Sequence, residues 1–270
     1  MITDSHCHLA SARFSDEERG EIMCRAEAAG VHRMVTLSTC LEDVSKNLEL
    51  ADDPRVLATV GIHPCDVHNA PDDAVERLCD HVADPRVCAI GETGLDYFHP
   101  APEGWDEETY RERQRDFLRR HFELAVSAGL NVVIHTRDKE GRASFEDAFA
   151  IYKRYSDRVR AVFHCFISES ELAERVIAEG GLVSFGGVAT FKNAALVKEV
   201  VKLVPAGSFM LETDSPYLAP EPMRGKRNEP AFALHVAEAV AALRGEAIGE
   251  LAEHTEAVVK KFFRGWNEST

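Results

Sequence analysis

Short apolar runs recur along the chain at regular intervals, and polar or amphipathic stretches separate them. Eight runs read as β-strands: Ile2–His6, Arg33–Leu37, Val56–Gly61, Val87–Gly91, Asn131–Ile134, Arg160–Phe163, Leu182–Phe185 and Ser208–Leu211. The stretches between them carry helix signals. Ser15-Asp16-Glu17-Glu18 is a capping box, and Gly30 is placed to end the helix that it starts. Glu108–Ala128 is long and amphipathic, with Phe117, Leu118, Leu124, Ala125 and Ala128 on one side and Gly129 after it. Val197–Leu203 and Phe232–Leu243 also show helical spacing. Eight strands alternating with helices over 270 residues match a (β/α)8 TIM barrel. The alternative is an open doubly wound sheet. That fold usually carries a glycine-rich phosphate loop after its first strand, and none stands here.

Composition narrows the class further. With 45% apolar residues the chain can build a substantial core, and no linker or low-complexity stretch divides residues 1–270, which read as a single domain. No apolar run reaches membrane-spanning length and none opens the chain as a signal peptide. The expectation is a soluble, cytoplasmic monomer with no obligate protein partner. Seven scattered cysteines form no paired framework and read as reduced thiols. A net charge of −15 argues against a protein that binds nucleic acid over its whole surface. It leaves room for a nuclease, because cations at a site supply local positive charge.

The chemistry begins at Asp4-Ser5-His6-Cys7-His8-Leu9. Side chains alternate along a strand, so Asp4, His6 and His8 share a face and Cys7 takes the other. Two imidazoles on one face suit a metal, although a buried, hydrogen-bonded pair would look the same in isolation. The barrel reading decides between these, because it places active-site residues at the C-terminal strand ends. His6 and His8 end the first strand, and His63 follows the third in Gly61-Ile62-His63-Pro64. Glu92 follows the fourth in Gly91-Glu92-Thr93-Gly94-Leu95-Asp96-Tyr97. His135 and His164 end the fifth and sixth, and Glu212 and Asp214 end the eighth. His32, His81, His121, His235 and His254 fall on predicted helices or turns and read as surface or packing residues. His68 and His99 lie in strand-end loops, with no role assigned.

His6, His8, Glu92, His135, His164 and Asp214 make six candidate ligands, too many for one tetrahedral ion and suited to two divalent ions. Two such ions lower the pKa of a bound water to ~7 and neutralise an anionic substrate. Imidazole-rich ligation suits zinc or manganese better than magnesium, which stays open as the working ion.

These motifs resemble the TatD family of metal-dependent deoxyribonucleases, among the amidohydrolase-like metal-hydrolase barrels. The resemblance runs from Asp4 to the last helix. It rests on the segments above together with Ile134-His135-Thr136-Arg137, Phe163-His164-Cys165-Phe166, Glu212-Thr213-Asp214-Ser215-Pro216-Tyr217-Leu218 and Arg224-Gly225-Lys226-Arg227-Asn228-Glu229-Pro230. It implies that His6, His8 and Asp214 bind one ion, His135 and His164 the other, and that Glu92 bridges them. No lysine stands at the end of strand four to serve as a carboxylated bridge, as in related barrels. It also implies action on DNA phosphodiesters, as an exonuclease, with His63 and Arg137 beside the metals to hold phosphate. Single-stranded or frayed DNA would enter a barrel mouth more easily than an intact duplex.

Three positions depart from the family pattern. Ala10 stands where a carboxylate is usual, Ile167-Ser168-Glu169-Ser170 replaces a glycine-serine turn, and Val258 follows Thr255 where Asn is common. No metal ligand is lost, but a different loop is expected near His164, with a different fit to substrate. Arg224, Lys226 and Arg227 concentrate positive charge in the loop after strand eight, placed to grip phosphate. Tyr97, Phe98, Trp105, Phe166 and Tyr217 could stack on bases, although most aromatics are core. Asp214 is expected to accept the proton of the attacking water, with Glu92 beside it, while Glu212 points away and works structurally. The competing readings are a hydrolase of small amides or esters, a phosphodiesterase on small nucleotides, and a non-catalytic metal-binding scaffold.

Overall fold

A computed structural model describes residues 1–266 of the chain. Eight parallel strands form one sheet in sequential order: β1 (Ile2–Cys7), β2 (Val31–Thr36), β3 (Val56–Val60), β4 (Val87–Tyr97), β5 (Val132–Asp138), β6 (Ala161–Phe163), β7 (Leu182–Phe185) and β8 (Phe209–Leu211). Between them run α1 (Asp16–Ala28), α2 (Leu41–Leu50), α3 (Ala74–Leu78), α4 (Glu107–Ala128), α5 (Ala143–Tyr152), α6 (Ser170–Ala178) and α7 (Ala195–Leu203). Two helices follow the last strand, α8 (Ala233–Arg244) and α9 (Ile248–Phe262). The ring closes just past β8, where the Asp214 amide donates to His6 O at 2.9 Å and the His8 amide to Ser215 O at 2.8 Å. This is the (β/α)8 barrel that the alternation of elements called for.

Local signals act as the sequence indicates. Ser15 caps α1 by accepting from the Glu18 amide, and Glu18 reaches back to the Ser15 amide. Gly129 ends α4 in the left-handed region, where a side chain would be strained. Two apolar layers hold the barrel. Helix-facing residues such as Met34, Val60, Ile90, Ile134 and Phe163 pack outward, while Val35, Leu57, Ala89, Val133, Val162 and Met210 fill the inside. Val258, Val259 and Phe262 of α9, with Phe263 and Trp266, join that inner layer. Asn131 Nδ2 donates to Phe262 O, and the Arg264 amide to Cys88 O. These bonds fix α9 against the N-terminal ends of β4 and β5, so the floor is plugged and the C-terminal face is left for chemistry.

Three features differ from those expected of the sequence. β4 runs to Tyr97 rather than stopping at Gly91, and β5 runs to Asp138 rather than Ile134. The extra residues pair with each other, from Thr93 with Ile134 to Tyr97 with Asp138. Glu92, His135 and Arg137 therefore sit within strands instead of after them. His32 lies in β2, not on a helix or turn.

Candidate metal centre

Seven polar side chains meet over the C-terminal mouth of the barrel, in a cavity of about 730 Å³. Alternation along β1 aims His6 into the centre, and His8 continues the same face one residue past the strand end. His6 Nε2 and His8 Nε2 are 3.3 Å apart. Each lies 3.4 Å from Glu92 Oε2. Asp214 Oδ1 is 3.7 Å from His6 Nε2 and 3.4 Å from His8 Nε2. Tetrahedral ligands at zinc-like bond lengths are about 3.4 Å apart, so this quartet has the spacing of a divalent-ion nest.

The other oxygen of Glu92 faces a second group. Oε1 lies 3.1 Å from His135 Nδ1 and 2.8 Å from His164 Nε2, which are 3.2 Å from each other. Glu92, buried in the middle of β4, therefore turns one carboxylate oxygen to each nest. His63 Nε2 approaches Oε1 at 3.5 Å, while its Nδ1 accepts the Cys65 amide hydrogen. A neutral imidazole that accepts at Nδ1 carries its proton on Nε2, so His63 presents a donor to the site rather than a lone pair.

Buried carboxylates dominate the electrostatics. Burial pushes Glu92 upward, yet His164, His63 and His6 hold it well below the ordinary carboxylate range. Burial opposes ionisation of Asp214 too, and His8 and His6 outweigh it. The negative charge acts back on the rings. Against burial, Asp214 and Glu92 raise His8, Asp96 and Glu92 raise His135, and Glu92 with Glu212 raises His164. His63 is driven down to about 3, chiefly by burial. Four imidazole nitrogens crowd two ionised carboxylates, a nitrogen and oxygen donor set at the spacing that divalent cations fit.

A second set of groups orients these residues. Asp96 Oδ2 lies 3.1 Å from His135 Nε2, leaving Nδ1 for the centre. Sequence reasoning missed Asp96, although Glu92, Gly94 and Asp96 alternate onto one face of β4. Glu212 is buried and structural, as expected. It accepts the Cys165 amide and the Ser184 hydroxyl hydrogens and lies 3.6 Å from His164 Nδ1. Asp4 shares the HxH face but turns to the Thr213 amide and hydroxyl.

The residues expected around the substrate divide. Arg137 lines the cavity with its guanidinium 3.9 Å from the centre of the Phe98 ring. Tyr217 lies at the opposite rim, near His8, with Arg13 stacked on it at 5.0 Å. Phe98 and Tyr217 are exposed, whereas Phe166 is buried and Tyr97 is buried with its hydroxyl bonded to Asp147. Trp105 packs beside Tyr110 and Arg113. Arg224, Lys226 and Arg227 do not reach the cavity wall. Arg227 pairs with Glu18 and donates to Arg13 O, Arg224 stacks on Phe191, and Lys226 contacts Met223. In the same loop, Asn228 ties the chain down by donating to Thr213 O and Tyr217 O. His121, assigned to packing, is buried and accepts the Ile62 amide hydrogen. All seven cysteines are free, and no helix among the described residues is long and apolar enough to cross a membrane.

Fold and site together define a metal-dependent hydrolase barrel. Residues 3–264 match the family model described as TatD related DNase, and the chain belongs to that family. It is 34% identical over 266 residues to the uncharacterized metal-dependent hydrolase YabD of Bacillus subtilis, covering 98% of this chain and 99% of YabD. It is 31% identical to a protein of Escherichia fergusonii named 3'-5' ssDNA/RNA exonuclease TatD, covering 96% of this chain and 98% of that one. The crystal structure of the TatD homolog YJJV from Escherichia coli superimposes with a TM-score of 0.86 at 28% identity, covering 97% of both chains.

Proposed function

We propose that the protein is a two-ion nuclease that hydrolyses phosphodiester bonds at the ends of single-stranded or frayed nucleic acid. The observation that carries this reading is the divided carboxylate of Glu92, with Oε2 in the His6–His8–Asp214 nest and Oε1 in the His135–His164 nest. Bound divalent ions, with zinc or manganese favoured by the imidazole donors, would supply an acidified water and neutralise phosphate charge. Asp214 is the proton acceptor. Its Oδ1 stands at the edge of the first nest, and His8 and His6 keep the carboxylate ionised against its burial. It takes the proton from the attacking water as the new P–O bond forms and passes it toward the leaving oxygen as the old bond breaks.

His63 donates from Nε2 to a non-bridging phosphate oxygen, and Arg137 pairs with the same phosphate or the next. The Arg137–Phe98 and Arg13–Tyr217 pairs offer cations and exposed ring faces on two sides of the mouth, a combination suited to unpaired nucleotides. Arg224 and Lys226, exposed on the loop after β8, are left for phosphates further along the strand. The name of the E. fergusonii relative suggests 3′-to-5′ polarity and tolerance of RNA.

Metal analysis of the purified protein, followed by digestion of oligonucleotides labelled at either end, tests this. The 5′-labelled strand should shorten as a ladder while the 3′ label is released at once. A chelator should stop the reaction, and a divalent ion should restore it. Efficient cleavage of amides or lactones, with oligonucleotides untouched by every metal form, would replace this reading with a small-molecule hydrolase.

A further inference from the structure

Beyond the two nests, a third group of ligand atoms converges at the rim. Cys65 follows β3, and Asp96 and His99 lie at and just past the end of β4. His99 Nδ1 is 3.1 Å from both oxygens of Asp96 and 3.7 Å from Cys65 Sγ. All three ligand atoms lie within 4.8 Å of one another. Zinc bond lengths of ~2.0–2.1 Å to nitrogen or oxygen and ~2.3 Å to sulfur put tetrahedral neighbours about 3.4 and 3.6 Å apart. The spacings of this group fall on either side of those values.

A catalytic cysteine arrangement does not fit. In a relay the thiol and the carboxylate occupy opposite nitrogens of the ring. Here both address the same Nδ1, so three ligand atoms point at one place. The site also has the support that a metal ligand set needs. The Phe98 and His99 amides donate to Asp96 Oδ1 at 3.0 and 2.9 Å and fix the carboxylate. Asp96 and His99 line the central cavity, which gives an ion a route in and leaves a fourth position for water. A thiolate and a carboxylate would balance the charge of a divalent ion.

We propose that Cys65, Asp96 and His99 form a third metal site, selective for a borderline-soft divalent ion such as zinc and joined to His135 through Asp96. Its ligand set contains sulfur, whereas the two nests offer only nitrogen and oxygen. That difference makes the site separately visible. Metal-free, reduced protein titrated with Co²⁺ should develop a near-ultraviolet thiolate-to-cobalt charge-transfer band. Cys65→Ser should lose the band, and zinc-loaded Cys65→Ser should hold one ion fewer per chain than the parent. His99→Ala should lose the band as well, and Cys165→Ser should keep it. Far-ultraviolet dichroism checks that each variant is folded.

A fully cobalt-loaded parent without the band would overturn the proposal, as would a band that survives Cys65→Ser. The outcome is independent of the nuclease reading. A protein inactive on nucleic acid can still show the band, and an active one without it has no third site.

Discussion

Asp214 shows how much one residue depends on its setting. Its chain neighbours mark a strand end, but its contact with His8 arises because the backbone turns there to a φ of 56° and hands its amide to His6 O. The side chain thereby reaches the first nest while Glu212, two residues earlier, turns into the wall. Asp214→Asn keeps the shape and one ligand oxygen but removes the base. At saturating metal kcat should fall by ~10²–10⁴-fold with dichroism unchanged. A variant that holds metal and turns over within about twofold of the parent would move the proton-acceptor role to another group. The six candidate ligands could be read from residue type and strand-end position. Asp96 could not, because a carboxylate four positions beyond Glu92 gives no sign that β4 is still a strand.

The junction of β4 and β5 sets the spacing between the nests. Gly94 has a φ of 147°, and a Cβ built there would lie 2.7 Å from the His135 nitrogen and closer still to its carbonyl oxygen. Only glycine lets the two strands meet at the level of the ligand. Gly94→Ala should therefore push His135 away from Glu92 and overpack the junction, at a cost of ~1–3 kcal/mol. Urea unfolding would show the loss of stability, and chelator competition the weaker metal binding. A second element-level contact joins α4 to the turn before His63. His121 Nδ1 donates to Phe117 O, and Nε2 accepts the Ile62 amide. Burial holds this imidazole at about 4, against about 6.5 in an unfolded chain. The unfolded state thus takes up a proton below pH 6.5 that the folded state refuses until about 4. The contribution of His121 is complete above 6.5 and is lost as pH falls through that window, by up to ~3 kcal/mol. His121→Gln keeps an acceptor for Ile62. Relative to the parent, its urea midpoint should fall less between pH 7 and pH 4.5; parallel curves would remove His121 from the acid sensitivity.

At the scale of the whole molecule, the proposed ligands come from β1, β4 and β5 and from the residues just past β1, β6 and β8, so ion binding would cross-link the barrel around most of its circumference. Ligands that bind only the folded state stabilise it by RT ln(1 + [L]/Kd), about 2.7 kcal/mol at a hundredfold excess over Kd. A domain of this size should then gain roughly 5–10 °C in Tm on loading with zinc or manganese. Calorimetry of His6→Ala should show most of that gain missing. An equal rise in the variant would place the stabilising ion elsewhere. The floor works in the opposite sense. α9 and Trp266 seal the N-terminal face with apolar side chains, so stability is concentrated at one end and chemistry at the other.

By itself the sequence determined the alternation of elements, the caps of α1 and α4, and the face on which His6 and His8 stand. These depend on neighbours along the chain, on apolar periodicity and on local hydrogen bonds. It also indicated that His63 lies at the mouth, because strand ends in this barrel converge there, and the family resemblance implied the same of Arg137. Tertiary structure decided whatever depends on a partner from another strand. Polar residues after Gly91 and Ile134 continue as β4 and β5 because each supplies the other's hydrogen bonds, which no single segment reveals. Arg227 is drawn to Glu18, a residue 209 positions away, and so leaves the phosphate-gripping position that its loop suggested. Cys65, unremarkable in the chain, meets His99 and Asp96 only because β3 and β4 lie side by side and the turn after β3 runs along the extension of β4. The division has one physical cause. Backbone preference and amphipathic pattern act over a few residues, whereas ligand geometry and charge pairing are set by distances that exist only after the barrel closes.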